Sequence, residues 1–176
     1  MYCDGCRRQA WLISSRSFGW YRPPLSRAIL QLKYRPNREL ADLLGGWLAD
    51  ELAASGWRVS LLASVPLDAV RLRQRGFNQV DLLVEGLGRR TGIPVRTGAL
   101  ARVRVTRSQV GLDHASRQQN VAGAFRAVPG LVVGQRVMVV DDLRTTGATL
   151  RACAVSLHEA GAEAVYGLTL GLAGGR

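Results

Sequence analysis

The sequence predicts an α/β protein with a mainly parallel central sheet flanked by helices. Three observations point there. Val59–Val65, Arg136–Val140 and Ala164–Leu172 are short apolar runs of strand length. Between the first two and again between the last two lie segments whose apolar residues recur at helical spacing, the pattern of parallel βαβ units. The run Val137–Val140 does not alternate, as expected of a central strand buried on both faces, and it is followed at once by two acids and a Thr/Gly turn.

The elements follow in order. The 176 residues fit one domain with a small appendage. Residues 1–20 are basic and Ser-containing with no long periodicity, so they read as an N-terminal appendage to a domain spanning residues 21–176. From Pro24 the pattern tightens. Leu40, Leu43, Leu44, Trp47, Leu48 and Leu52 mark a helix, with Asn37 as its N-cap and Gly56 as its stop. The Gly45-Gly46 pair lowers helix propensity and permits close packing against a neighbour. Val59–Val65 reads as a buried strand ended by Pro66. Val80, Leu83, Val84 and Leu87 mark a second helix, closed by Gly92. Residues 95–126 are polar and basic without clear elements, which in a compact domain points to function. The strand Arg136–Val140 leads to a helix whose apolar face carries Leu150, Cys153, Ala154 and Leu157, and Ala164–Leu172 is the closing strand.

Composition narrows the function. The apolar fraction of 47% and the charged fraction of 21% suit a soluble globular protein. No apolar run reaches the 18 residues of a membrane span, and the start, MYCDGCRRQAW, lacks the apolar core of a signal peptide, so a cytoplasmic protein without membrane insertion is expected. Lys+Arg number 24 against 13 Asp+Glu, a formal charge of +11, and Lys33 is the only lysine. A coding bias explains Arg over Lys but not the basic excess, which implies an anionic partner: a phosphate-bearing small molecule or nucleic acid. Three cysteines without a secretory signal argue against a disulfide framework.

The chemistry concentrates in VMVVDDLRTTGATL, Val137 to Leu150. Asp141 and Asp142 fall at the carboxyl end of a strand, where open α/β sheets bind ligands. Thr145, Thr146, Gly147, Ala148 and Thr149 lead into a helix, and their backbone N–H groups, hydroxyls and helix dipole suit an anion. No Lys follows the glycine, so the loop is not a nucleotide-triphosphate P-loop. Carboxylates touching a phosphate would repel it. They make sense as acceptors for neutral hydroxyls just beyond it, so a sugar phosphate with a vicinal diol satisfies both halves. The plainer alternative, in which the acids and threonines only cap the helix, needs one acid rather than two.

This stretch resembles the PRPP-binding motif of type I phosphoribosyltransferases. The resemblance implies that Asp141 and Asp142 are the catalytic pair holding the ribose hydroxyls and that residues Thr145 to Thr149 cradle the 5-phosphate. Arg144 stands where such proteins often carry an apolar or small residue; it adds a cation to the site or points to solvent. Other blocks are similar to the ComF/GntX branch, the competence-associated phosphoribosyltransferase-like proteins: ILQLKYRPNRELADLLGGWLA, VPLDAVRLRQRGFNQVDLL and RVTRSQVGLDHASRQQNVAGAF. Together they cover roughly residues 21–173. The fold so implied is type I phosphoribosyltransferase-like, with a short N-terminal remnant of a zinc ribbon.

Within that resemblance Pro66 and Leu67 stand at the pyrophosphate loop, and Arg71, Arg73 and Arg75 follow within five residues. Cations there stabilise a leaving pyrophosphate; the alternative is a solvated basic helix face. Asn78 and Gln79 serve equally as caps or ligand contacts. Arg102, Arg104, Arg107, Gln109 and Arg117 correspond to a mobile lid, with a polar-faced β-hairpin as the alternative. Cys3 and Cys6 form a single C-x-x-C knuckle, half of a zinc ribbon, so zinc is not expected to be held by this chain alone; the start falls within such a ribbon, or the site has decayed. Mg2+ is expected with PRPP. Three functions follow: phosphoribosyl transfer from PRPP to a nitrogenous base, a non-catalytic accessory role with single-stranded DNA or the competence machinery, or nucleotide sensing. A homo-oligomer is compatible with each.

Overall fold

The computed structural model describes residues 14–104 and 121–174. Strands β1 (Ser14–Trp20), β2 (Leu61–Ser64), β5 (Arg136–Arg144) and β6 (Ala164–Leu172) form a four-stranded sheet in the order β1-β6-β5-β2. Every pairing in it is parallel. Strands β3 (Leu100–Arg102) and β4 (Phe125–Ala127) form a separate antiparallel pair. The expected α/β architecture with a parallel central sheet is therefore present.

Pleating places successive residues of β5 on opposite faces, and each face feeds its own core. Met138 and Val140 pack with Leu168 against helices α1 (Leu25–Tyr34), α2 (Arg38–Ser55) and α4 (Gln79–Thr91), through Leu32, Leu44, Leu48, Leu83 and Leu87. Val137, Val139 and Val165 pack against helix α6 (Ala148–Glu159), through Leu150, Cys153 and Leu157, and against the β3–β4 pair. Helices α3 (Ala69–Arg75) and α5 (Pro129–Val132) are short connectors.

The helix signals act as expected. The Asn37 side chain accepts a hydrogen bond from the Leu40 N–H at 2.9 Å, and Gly56 and Gly92 end their helices at φ 67° and 72°, a left-handed conformation that suits glycine. Only one of the paired glycines is an approach point. A Cβ on Gly45 would sit 2.7 Å from backbone atoms of Gly86 and Leu87, whereas one on Gly46 would meet nothing within 4 Å.

Two expectations are corrected. The appendage does not extend to residue 20: Ser14–Trp20 is β1, an edge strand of the central sheet paired with β6. An edge strand with one neighbour buries little, and its large apolar groups Phe18 and Trp20 are 38% and 47% exposed, so no hydrophobic pattern announces it. The strand at the acid pair is also longer than the apolar run. Backbone pairing with β6 continues through Asp141, opposite Thr169, to Arg144, opposite Leu172, so the strand runs on past Val140 and the acids stand in its carboxyl-terminal part, the end expected for them. Cys3, Cys6, Arg107, Gln109 and Arg117 lie outside the described residues.

Candidate functional site

The carboxyl ends of β2 and β5 and the amino ends of α3 and α6 surround a cavity of about 340 Å3. Each wall comes from a different stretch of sequence. Asp141 and Asp142 project from β5; Thr145, Gly147, Ala148 and Thr149 form one rim; Pro66, Leu67, Arg71 and Arg75 form the other. Lys33 enters from the end of α1, and Arg102 from β3. Thr146 is not on the wall: its Oγ1 accepts a hydrogen bond from the Ala148 N–H at 3.3 Å and so shapes the loop. Gly147 holds φ 76° and a Cβ there would stand 3.3 Å from the Arg151 guanidinium, so the turn is built for glycine. Arg144 is among the residues that line the cavity, and its Nη1 donates to Ser15 Oγ on β1 at 2.8 Å.

Helix α3 sorts the arginine run. Asp68 caps it, accepting from the Arg71 N–H at 2.9 Å, and its Oδ2 lies 3.4 Å from Arg71 Nε. Residues four apart share a helix face, so Arg71 and Arg75 reach the cavity while Arg73 folds back on the Ala69 carbonyl at 3.3 Å. Arg104 does not line the cavity; its Nη2 donates to the Ala122 carbonyl at 2.7 Å.

The two acids have different surroundings. Asp142 is buried, and its Oδ2 accepts from Gln79 Nε2 at 2.6 Å and lies 3.2 Å from Lys33 Nζ. The Asp141 side chain accepts the Asp142 N–H at 2.8 Å. Burial, and then the neighbouring Asp142 charge, push the Asp141 carboxyl up to about 8, against weaker help from Lys33 and Arg102. Burial likewise lowers Arg102 and Arg144 from the usual arginine range. Asn78 proves to be a cap and a brace: its Oδ1 accepts from the Val80 N–H at 3.1 Å, and its Nδ2 donates to Val65 O at 3.2 Å and to Asp81 at 2.9 Å. Gln79 is the member of that pair that lines the cavity, where it donates to Asp142. Lys33 was legible only as the single lysine of the chain, since nothing in its local sequence places it beside residue 142.

The cavity can thus take a molecule with hydroxyls at the acid pair and anionic groups at each rim. Among the described residues no group of three His, Cys, Asp or Glu lies close enough to hold a metal ion by itself, and no helix is long and apolar enough to cross a membrane.

Comparison with known proteins places this arrangement. No family model matches the chain. The DNA utilization protein YhgH of Escherichia coli K12 is 38% identical over 151 residues, 82% of this chain and 66% of that protein. Competence protein F of Haemophilus influenzae is 34% identical over 179 residues, 93% of this chain and 75% of that protein. The chain belongs to the ComF family. This ComF-family chain spans 66%, just under two thirds, of the length of the DNA utilization proteins it matches. Competence protein ComFC of Streptococcus pneumoniae is more distant, at 26% identity over 96% of this chain. Among solved structures, the allosteric regulatory enzyme of purine biosynthesis aligns with a TM-score of 0.55 and 29% identity, covering 80% of this chain and 30% of that one. The glutamine PRPP amidotransferase of B. subtilis aligns with a TM-score of 0.54 and 27% identity over the same share of each chain. The ComF-family chain therefore has the type I phosphoribosyltransferase fold.

Proposed function

We propose that this ComF-family protein binds PRPP, or ribose 5-phosphate derived from it, and works as a phosphoribosyltransferase-like component of competence or DNA utilization. The observation that carries the reading is convergence: two carboxyls between two anion-suited rims on one cavity wall. Asp141 and Asp142 accept hydrogen bonds from the ribose hydroxyls. The 145–149 loop, which leads into the start of α6, takes the 5-phosphate. Arg71 and Arg75, beside Pro66 and Leu67, take the pyrophosphate and stabilise its charge as it leaves. The names of the relatives, DNA utilization protein and competence protein, support the cellular context.

Mg2+, bound with the substrate, would help neutralise the charge of the leaving pyrophosphate. The carboxylate oxygens on the cavity wall belong to Asp68, Asp141 and Asp142, and Asp68 and Asp142 already have cationic partners, so the ion would draw most of its ligands from the substrate.

PRPP with Mg2+ should raise the melting temperature, and Asp141→Asn with Asp142→Asn should abolish the rise. An unmoved parent protein sinks the assignment. A pyrophosphate-release assay over a panel of nitrogenous bases then separates transfer from binding without turnover. A second reading, contact with single-stranded DNA, is favoured by the +11 charge and by Tyr34, which is 72% exposed with the Arg75 guanidinium 5.8 Å over its ring.

A further inference from the structure

Lys33 is the only lysine in a chain whose other Lys/Arg-type cations are all arginines, and it stands in the cavity on Asp142. Its side chain is 18% exposed and its ammonium lies 3.2 Å from Asp142 Oδ2. That same oxygen accepts from Gln79 Nε2 at 2.6 Å. Gln79 is in turn oriented by Arg75, whose Nη1 donates to its Oε1 at 2.8 Å. The two contacts agree on one setting of the amide, because an arginine must meet its oxygen and a carboxylate its nitrogen. Arg75 closes the circuit by lying over Tyr34, the residue after Lys33. Three elements, α1, β5 and α4, thus meet at one carboxylate oxygen, and α3 is tied to it through Gln79.

The residue type matters at such a point. A guanidinium is a long planar fork that prefers to take both oxygens of a carboxylate, whereas an ammonium is a compact charge that can share one oxygen with a second donor. With Gln79 and Lys33 both on Oδ2, Oδ1 of Asp142 stays available to the cavity.

We propose that Lys33 is the positioning residue of the acid pair: it fixes Asp142 through one oxygen so that the other, with Asp141, is presented to a vicinal diol. The inference rests on the sugar-phosphate reading above, and it makes Lys33 act on the diol through Asp142 rather than on the phosphate.

Calorimetric titration with ribose 5-phosphate and with inorganic phosphate tests it. Lys33→Met should weaken ribose 5-phosphate by about tenfold or more, the loss of one charge-assisted contact, and leave inorganic phosphate within about twofold. Lys33→Arg should lose as much as Lys33→Met. Lys33→Met added to Asp142→Asn should cost nothing beyond Asp142→Asn alone, since both act through one carboxylate. Unchanged ribose 5-phosphate binding in Lys33→Met, full rescue by Arg, additive losses, or an equal loss for inorganic phosphate each overturn the proposal. A fold-independent arm uses the parent chain and Asp142→Asn, reductively methylated with 13C-formaldehyde. Lys33 carries the only ε-amine, so its methyl resonance is told from that of the α-amine by its absence in Lys33→Met, and it should move when Asp142 becomes Asn. A resonance blind to that change also overturns the proposal. If the parent binds ribose 5-phosphate no more tightly than inorganic phosphate, the sugar-phosphate reading fails, and the resonance alone decides whether Lys33 positions Asp142.

Discussion

Asp141 carries its carboxyl into a partly buried place beside a second carboxyl, and burial followed by Asp142 raises its pKa to about 8. In the unfolded chain the same group releases its proton near pH 4. Between those values the folded protein holds a proton that the unfolded chain has lost, so the folded state is favoured at the acidic end. Stability should fall as pH rises from about 4 to about 8 and then level off. Asp141→Asn removes the titration. At pH 8 the variant should melt higher than the parent by about 2–4 °C for each 1 kcal/mol recovered, and the gap should close towards pH 4. Melting curves across that range check it. The same substitution should weaken sugar-phosphate binding, because a site poised for a ligand is not at its stability optimum.

The contact between α2 and α4 rests on glycines, and the two neighbours Gly45 and Gly46 separate its causes. Gly45 faces Gly86 and Leu87 at a distance that leaves no room for a methyl group, and Gly86 faces the Ala41 carbonyl in the same way. Gly46 faces open space. Gly45→Ala should therefore destabilise by about 1–3 kcal/mol through overpacking of rigid backbone. Gly46→Ala should instead stabilise by up to about 1 kcal/mol, the difference in helix propensity. Urea unfolding midpoints decide both, and equal effects would mean that helix spacing, not propensity or contact, governs the pair. This interface also bears on the cavity, since α4 begins with Gln79 and so carries the donor to Asp142.

At the scale of the molecule, the described arginines of this +11 chain divide between the cavity and the outer surface. Arg71 and Arg75 reach the cavity, and Arg73 faces outward on the same helix. If single-stranded DNA runs over this face, its affinity should fall linearly with salt on logarithmic axes, with a slope of about −0.7 for each phosphate neutralised. Arg73→Ala should reduce that slope by about 0.7 and leave ribose 5-phosphate binding unchanged, while Arg71→Ala should weaken both. Fluorescence anisotropy with a labelled oligonucleotide over a salt series is the measurement. Binding that is absent, or indifferent to salt, removes the DNA reading without touching the sugar-phosphate one.

The sequence by itself determined three of the four strands of the sheet, the helices marked by apolar spacing, and the place of the acid pair and the 145–149 loop. These are local: apolar runs, helical spacing, caps such as Asn37 and a contiguous turn are each written within a few neighbouring residues. It determined that Arg71, Arg73 and Arg75 are clustered, but helix geometry decided which two line the cavity. Edge strand β1 was hidden because its partner, β6, lies about 150 residues away and pays no hydrophobic signal into the sequence of Ser14–Trp20. Only tertiary structure joined Lys33 and Gln79 to Asp142 and made the two acids unequal. Parallel strands and crossover helices bring α1, α4 and β5 to one point, and a carboxylate's character is set by what burial and neighbours do there, not by the residue beside it in the chain.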